Sequence, residues 1–176
     1  MPNIEYLKQF IREVPDFPKK GISFKDITTL LAQPRIFKET INIMVNHLKG
    51  NEIKKVVGIE SRGFILGSVL AYHLNAGFIP VRKPGKLPAE TISEEYELEY
   101  GTDRLEIHRD AITKGETVII VDDLLATGGT MEATVKLVNK LGGKISEILF
   151  LIELEELKGR DKLKNQSIFT LIKYPF

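Results

Sequence analysis

The chain has 176 residues, enough for one domain with a sizeable core, and its 43% apolar and 28% charged content is that of an ordinary globular protein rather than a disordered one. A formal net charge of +1 gives no global reason to bind nucleic acid or a membrane surface, so any anion must be met by local groups. The absence of cysteine excludes disulfides and thiolate metal sites; with no leader-like N-terminus and no window near the roughly 18 apolar residues of a membrane span, the expected setting is cytoplasmic.

Asn3 is placed to cap a first helix in which Ile4, Leu7, Phe10, Ile11 and Val14 share one face, and Pro15 ends it. Residues 16–28 combine Pro and Gly with a short alternating piece, which predicts a loop leading into an irregular or edge strand. Pro34 and Gly50 bracket an amphipathic helix with Ile36, Phe37, Ile41, Met44, Val45 and Leu48 inward. A strand over 53–59 then runs through Gly58-Ile59-Glu60-Ser61-Arg62-Gly63 into an apolar helix from Phe64 to Leu74. Within that helix His73 reads as a core or interface residue, and His47, His73 and His108 match no metal spacing. Gly77 to Val81 forms the next strand, and Arg82, Lys83 and Lys86 follow at its end.

Between Leu87 and His108 the sequence turns polar and acidic around Gly101, which predicts a mobile β-hairpin flap. Val118 to Val121 is an unbroken β-branched run, suited to a strand buried on both faces of a parallel sheet, and Asp122 and Asp123 stand at its end. Ligands collect at such strand ends in open α/β sheets. Ala126-Thr127-Gly128-Gly129-Thr130 next lets the backbone turn tightly before Thr130 opens a helix, so amide groups and the helix terminus together make a phosphate cradle. It is neither a Walker A loop nor a dinucleotide fingerprint. Paired carboxylates beside it suit vicinal hydroxyls one sugar length from a phosphate, the shape of a ribose 5-phosphate. A strand over 145–152, a solvated helix or loop over 153–164 and a last strand over 168–171 complete an alternation that favours a parallel sheet.

The run V-D-D-L-L-A-T-G-G-T resembles the binding motif of the type I phosphoribosyltransferases, which use phosphoribosyl pyrophosphate (PRPP). Together with F-P-K-K-G-I-S-F-K-D-I-T, G-I-E-S-R-G-F, R-K-P-G-K-L-P and E-Y-G, in this order and spacing, it resembles the adenine phosphoribosyltransferase family over roughly Phe17 to Phe150. The resemblance implies an α/β type I phosphoribosyltransferase fold: a central, mostly parallel sheet flanked by helices, in one domain over 1–176. An N-terminal helix and adenine-side hood would occupy 1–33, and the mobile flap 83–105. It further implies transfer of the phosphoribosyl group of PRPP to N9 of adenine, giving AMP and pyrophosphate in purine salvage. Mg²⁺ would arrive with PRPP, with no direct metal ligand required beyond the neighbourhood of Asp122 and Asp123, in a cytoplasmic homodimer that engages neither nucleic acid nor membrane.

By the same resemblance, Asp122 and Asp123 engage the ribose hydroxyls, while Ala126, Thr127, Gly128, Gly129 and Thr130 wrap the 5-phosphate. Glu60, Ser61 and Arg62 match the pyrophosphate loop, where the family commonly carries a non-proline cis peptide. Arg82, Lys83 and Lys86 would stabilise the departing pyrophosphate, Lys86 foremost by its motif position. Glu99 matches a general base or acid near N7 of the purine, and Tyr100 its loop-ordering neighbour. Phe24 would stack on adenine, with backbone groups of Ser23 and Lys25 reading its 6-amino edge; relatives often carry Val and Arg at 23 and 25. Two alternatives stay open: a 6-oxopurine or xanthine phosphoribosyltransferase, and a PRPP-responsive regulator that senses without catalysing. The early G-I-S-F-K-D-I segment and E-S-R-G-F weigh against the former, and the absence of a basic face against the latter.

Overall fold

Short runs of β-branched and other apolar residues alternate with amphipathic helices along most of this chain, and that alternation builds the sheet. The computed structural model describes residues 4–97 and 101–175. Residues 1–47 and 48–176 form separate compact units. In the larger one, β3 (Lys55–Ile59), β4 (Gly77–Val81), β7 (Thr117–Leu125), β8 (Lys144–Leu154) and β9 (Ile168–Tyr174) form a five-stranded sheet in the order β4-β3-β7-β8-β9. Every neighbouring pair is parallel. Helices α3 (Arg62–Leu74) and α4 (Gly129–Lys140) connect β3 to β4 and β7 to β8. Val118, Ile119, Ile120 and Val121 are fully buried, as expected for a central strand covered on both faces.

The chain moves outward in one direction from β3 to β4 and in the other from β7 through β9, so the topology reverses between β3 and β7. Pairing of β3 with β7 ends at Gly58↔Val121, whereas β7 stays paired with β8 as far as Leu125↔Glu153. Beyond Val121 the two central strands therefore part, and the crevice between their ends is the usual ligand position of an open α/β sheet. Asp122 and Asp123, expected at the end of the strand, lie just past the split and inside β7, which runs on to Leu125 because β8 stays paired with it at Asp122↔Phe150 and Leu124↔Ile152.

The acidic stretch forms an antiparallel hairpin, β5 (Thr91–Glu97) with β6 (Thr102–His108), in register from Thr91↔His108 to Glu97↔Thr102. Gly101, at φ 94°, stands at its turn. Lys140 of α4 pairs with Glu94, and Gly129 lies against the Glu97 carbonyl, so β5 is held along the start and end of α4.

The smaller unit departs from expectation at its start. Residues Ile4–Phe10 form a 3₁₀ helix, and Arg12–Val14 then become strand β1, paired antiparallel with β2 (Phe24–Asp26). Helical spacing of the apolar residues is overridden by this ladder, which the Arg12–Asp26 ion pair at 2.8 Å closes at one end. Helices α1 (Thr28–Leu31) and α2 (Pro34–His47) follow, and α2 buries Ile36, Thr40, Ile41 and Met44 on one face.

Residues 153–164 are solvated only in part: Glu156, Leu157, Lys158, Asp161, Lys162 and Lys164 are exposed. Glu153 is 4% exposed and still within β8, and the two 3₁₀ turns after it, Glu155–Leu157 and Gly159–Leu163, bury Gly159 and Leu163. His73, expected as a core or interface residue, is not in the core: it lies on the exposed side of α3 beside Tyr72.

Candidate active site

The crevice between the ends of β3 and β7 opens into a cavity of about 350 Å³, lined by Glu60, Ser61, Arg62, Lys83, Tyr96, Leu105, Asp122, Asp123, Leu124 and Thr130. Beside it, the turn from Ala126 to Thr130 encloses a smaller hollow of about 70 Å³ with Asp122 at its edge. The two spaces share Asp122, Leu124 and Thr130, so a long anionic ligand could occupy both.

Buried carboxylates dominate the chemistry. Asp123 is 4% exposed, and the Asp123 amide donates to Asp122 Oδ1 at 2.9 Å. Arg62 Nε stands 2.7 Å from Asp123 Oδ2 as an ion pair, yet that oxygen has no aligned hydrogen-bond donor among the described residues. Burial pushes the Asp122 carboxyl well above the usual carboxylate range, and the adjacent Asp123 charge pushes it the same way. Asp123 is raised too, again chiefly by burial, with the Arg62 guanidinium offsetting only part of the effect. The pair is short of positive charge and hydrogen-bond donors. Two features bring them: a polyhydroxylated ligand donates O–H groups, and a cation neutralises charge.

The phosphate turn is built by backbone conformation. Gly128, at φ 81°, precedes the first turn of α4 in a left-handed conformation that a side chain would strain. Gly128 and Gly129 are buried, Thr130 is half-buried and Thr127 exposed, at the N-terminus of α4 where the first amides of a helix favour an anion. The helix begins at Gly129, one residue before the expected Thr130.

On the β3 side, the Glu60–Ser61 peptide is cis, as the resemblance implied, and Arg62 opens α3. Glu60 gathers the cations that follow β4. Lys86 Nζ reaches Glu60 Oε1 at 2.6 Å, both Arg82 Nε and Arg82 Nη2 donate to its carboxylate at 3.2 Å, and the Lys83 amide donates at 3.1 Å. Burial alone would raise Glu60, but these donors, Lys86 first, hold its carboxyl down at about 2. Sequence reasoning paired Arg82 and Lys86 with Arg62 by position; the structure supplies Glu60 as the group that converges them.

The lining also includes Lys83, expected beside the pyrophosphate with Arg82 and Lys86, and Tyr96, which was not among the expected binding residues. Lys83 Nζ pairs with Asp103 Oδ2 at 2.9 Å, and Tyr96 donates to the same oxygen at 3.1 Å, tying the hairpin to the segment after β4. The alternation of half-buried and exposed positions along β5 would have placed Tyr96 on the covered face, but nothing in that pattern names the partner. Glu99 and Tyr100 lie outside the described residues. Ser23, Phe24 and Lys25 belong to the smaller unit: Phe24 packs edge-on against Phe17 at 5.2 Å, and Lys25 Nζ pairs with Glu13 at 2.8 Å, which commits the lysine head group.

Residues 26–173 match the phosphoribosyl transferase domain family, which defines the class of fold and site. The chain is 60% identical over 166 residues to the adenine phosphoribosyltransferase of Halothermothrix orenii, covering 94% of this chain and 98% of that one. The crystal structure of adenine phosphoribosyltransferase from Thermoanaerobacter pseudethanolicus superposes with a TM-score of 0.95 at 56% identity, over 98% of this chain and 100% of the other. The enzyme of Saccharomyces cerevisiae, solved with adenine and an imino-altritol bisphosphate, gives 0.92 at 44% identity over 96% and 97%. The chain belongs to the adenine phosphoribosyltransferase family.

Proposed function

We propose that this chain transfers the 5-phosphoribosyl group of PRPP to N9 of adenine, releasing pyrophosphate and forming AMP for purine salvage. In that reaction the bond from the anomeric carbon to pyrophosphate breaks, the bond from N9 forms, and the N9 proton leaves. The observation that carries the reading is the Asp122–Asp123 pair, Asp123 buried and Asp122 half-buried at the cavity wall, short of donors and set between a phosphate turn and a cluster of cations.

The roles follow from the charges. Ala126, Thr127, Gly128, Gly129 and Thr130 hold the 5-phosphate through amides and the helix terminus. Asp122 and Asp123 accept hydrogen bonds from the ribose hydroxyls. Arg62, Arg82 and Lys86, with Ser61 beside them, meet the pyrophosphate, which competes with Glu60 and Asp123 for the same cations. Glu99 serves the purine proton, Tyr100 orders the hairpin, and closure of residues 83–105 excludes the water that would hydrolyse PRPP. Phe24 stacks on adenine, while backbone groups of Ser23 and Lys25 read its edge; the Glu13 ion pair on Lys25 favours backbone over side-chain readout.

Mg²⁺ fits the donor set. Among the described residues no group of three or more His, Asp or Glu forms a metal cluster, while Asp122 and Asp123 offer under-compensated carboxylate beside the phosphate turn. An ion carried by PRPP oxygens asks for few protein ligands, and it would withdraw charge from the leaving group. A homodimer is supported by α3, which leaves Ile65 39% and Tyr72 84% exposed on one side. A cysteine-free chain suits a reducing cytoplasm, and among the described residues no helix is long and apolar enough to cross a membrane.

The test is incubation with PRPP and Mg²⁺ against adenine, hypoxanthine, guanine and xanthine separately, following nucleotide and pyrophosphate. AMP from adenine alone is expected. Nucleotide from a 6-oxopurine instead, or PRPP binding without turnover on any base, would overturn the reading.

A further inference from the structure

The phosphate turn does not stand by itself. Behind it lies the 3₁₀ turn Gly159–Leu163, entered through Lys158 at φ 52°. The two backbones touch where neither has a side chain. A Cβ added at Gly159 would lie 2.3 Å from the Ala126 carbonyl oxygen and 2.8 Å from the Leu125 side chain, and one added at Gly128 would lie 2.5 Å from the Gly159 carbonyl oxygen. Gly128 therefore fits against the Gly159 backbone, and Gly159 against the Ala126 carbonyl and the Leu125 side chain, with no room for a side chain at either glycine.

What fixes Gly159 in turn is its neighbour. Arg160 Nε donates to Glu153 Oε1 at 2.6 Å, and Arg160 Nη2 donates to Glu153 Oε2 and to Thr170 Oγ1, both at 2.8 Å. Thr170 Oγ1 donates back to Glu153 Oε2 at 2.8 Å, closing a triangle between β8, β9 and the turn. Glu153 is 4% exposed and both its oxygens are occupied, so the half-exposed Arg160 is anchored at a buried, fully paired carboxylate that fixes its geometry. The bidentate fork of Arg160 admits little rotation of the backbone it springs from.

We propose that Arg160, locked by Glu153 and Thr170, and Gly159, seated under Ala126 and Gly128, are positioning residues that set the shape of the turn binding the 5-phosphate of PRPP. The inference rests on the reading that residues 126–130 hold that phosphate. None of these four residues touches the reacting atoms; they act through the turn.

The test uses the full chain and ribose 5-phosphate as probe, with binding measured by calorimetry alongside steady-state kinetics. Arg160→Met and Gly159→Ala are expected to raise the dissociation constant of ribose 5-phosphate and the KM for PRPP about tenfold, since a displacement well under 1 Å in a positioning element is costly. Arg160→Lys, which keeps the charge but not the fork, should fall between, at about threefold. KM for adenine should stay within about twofold and kcat at saturating PRPP within about threefold, because the interaction is made equally in the ground and transition states. Glu156→Ala, an exposed change in the same segment, should leave every constant unaltered. If Gly159→Ala does not fold, the two Arg160 variants carry the test. An unchanged ribose 5-phosphate affinity in Arg160→Met, whatever its thermal midpoint, overturns the proposal, as does an equal rise in the adenine and PRPP constants. Failure of the wild-type chain to bind ribose 5-phosphate would instead overturn the reading of residues 126–130, and the proposal with it.

Discussion

Strands β7 and β8 lie side by side, and each carries acid into its carboxyl end, yet the two ends are electrostatically opposite. At β7, Asp122 and Asp123 are crowded together at the cavity with one guanidinium, that of Arg62, paired to Asp123, and both carboxyls are raised. At β8, burial also acts to raise Glu153, but the hydrogen bonds from Arg160 and Thr170 outweigh it and the carboxyl ends below its ordinary value. Burial is common to both; compensation is not. An acid left short of partners at a cavity is a place waiting for a ligand to supply them, whereas a fully paired acid shapes the chain around it.

That contrast is most exposed at the β7 acids. Asp123→Asn should lower kcat/KM for PRPP by about 10²–10³, the scale for removing one preorganised polar contact, as initial rates would show. Asp122→Asn should lose activity too and yet raise the stability of the free chain by about 1 kcal/mol in denaturant titration. The sign is fixed by linkage: the folded chain holds the Asp122 proton more tightly than the unfolded chain. Stability therefore declines as pH rises from the ordinary 3.8 through the raised folded value, and the Asn variant escapes that decline.

At the β8 acid the sign reverses. Glu153→Gln should destabilise by about 3 kcal/mol, the low end for breaking a buried pair, because Arg160 keeps 40% of its side chain exposed. Its contribution is fully present above the ordinary 4.5 and is lost as pH falls through the lowered folded value, so thermal melts should show the wild type losing its advantage over the variant in acid. Smaller still is Gly63→Ala, whose Cβ would meet the Val121 carbonyl oxygen at 2.8 Å and Asp122 Oδ1 at 3.0 Å; overpacking of about 1–3 kcal/mol should accompany weaker PRPP binding. Lys136→Ala removes only the exposed Glu132 pair on α4 at 3.0 Å, and should cost about 0.3–0.5 kcal/mol with no change in KM.

The same contrast explains what could be read from the residues alone. The β7 strand, its acids and the glycine turn are contiguous, so their order in the chain already displays the site. Glu60, Arg82 and Lys86 belong to two strand ends, and their convergence is visible only once β3 and β4 are paired. Glu153–Lys164 reads as solvated because its charges are dense; the structure instead sets Glu153 within β8, opposite Arg160 across a turn rather than along a helix face, and beside Thr170 on another strand, a partner that no local spacing marks. Residues 11–14 fail for a related reason, since the partner that makes Arg12–Val14 a strand lies at Phe24–Asp26.

Proton exchange on binding tests the central claim most directly, namely that the β7 acids are completed by the sugar phosphate. Ribose 5-phosphate would be titrated into the wild-type chain and Asp122→Asn in two buffers of different ionisation enthalpy, from about pH 5 to about pH 8, which counts the protons exchanged. Hydroxyl donors favour the ionised carboxylate, so the wild type should release more protons than the variant over part of that range, after the phosphate's own ionisation cancels between them. Identical proton counts at every pH, with similar affinities, would contradict the account.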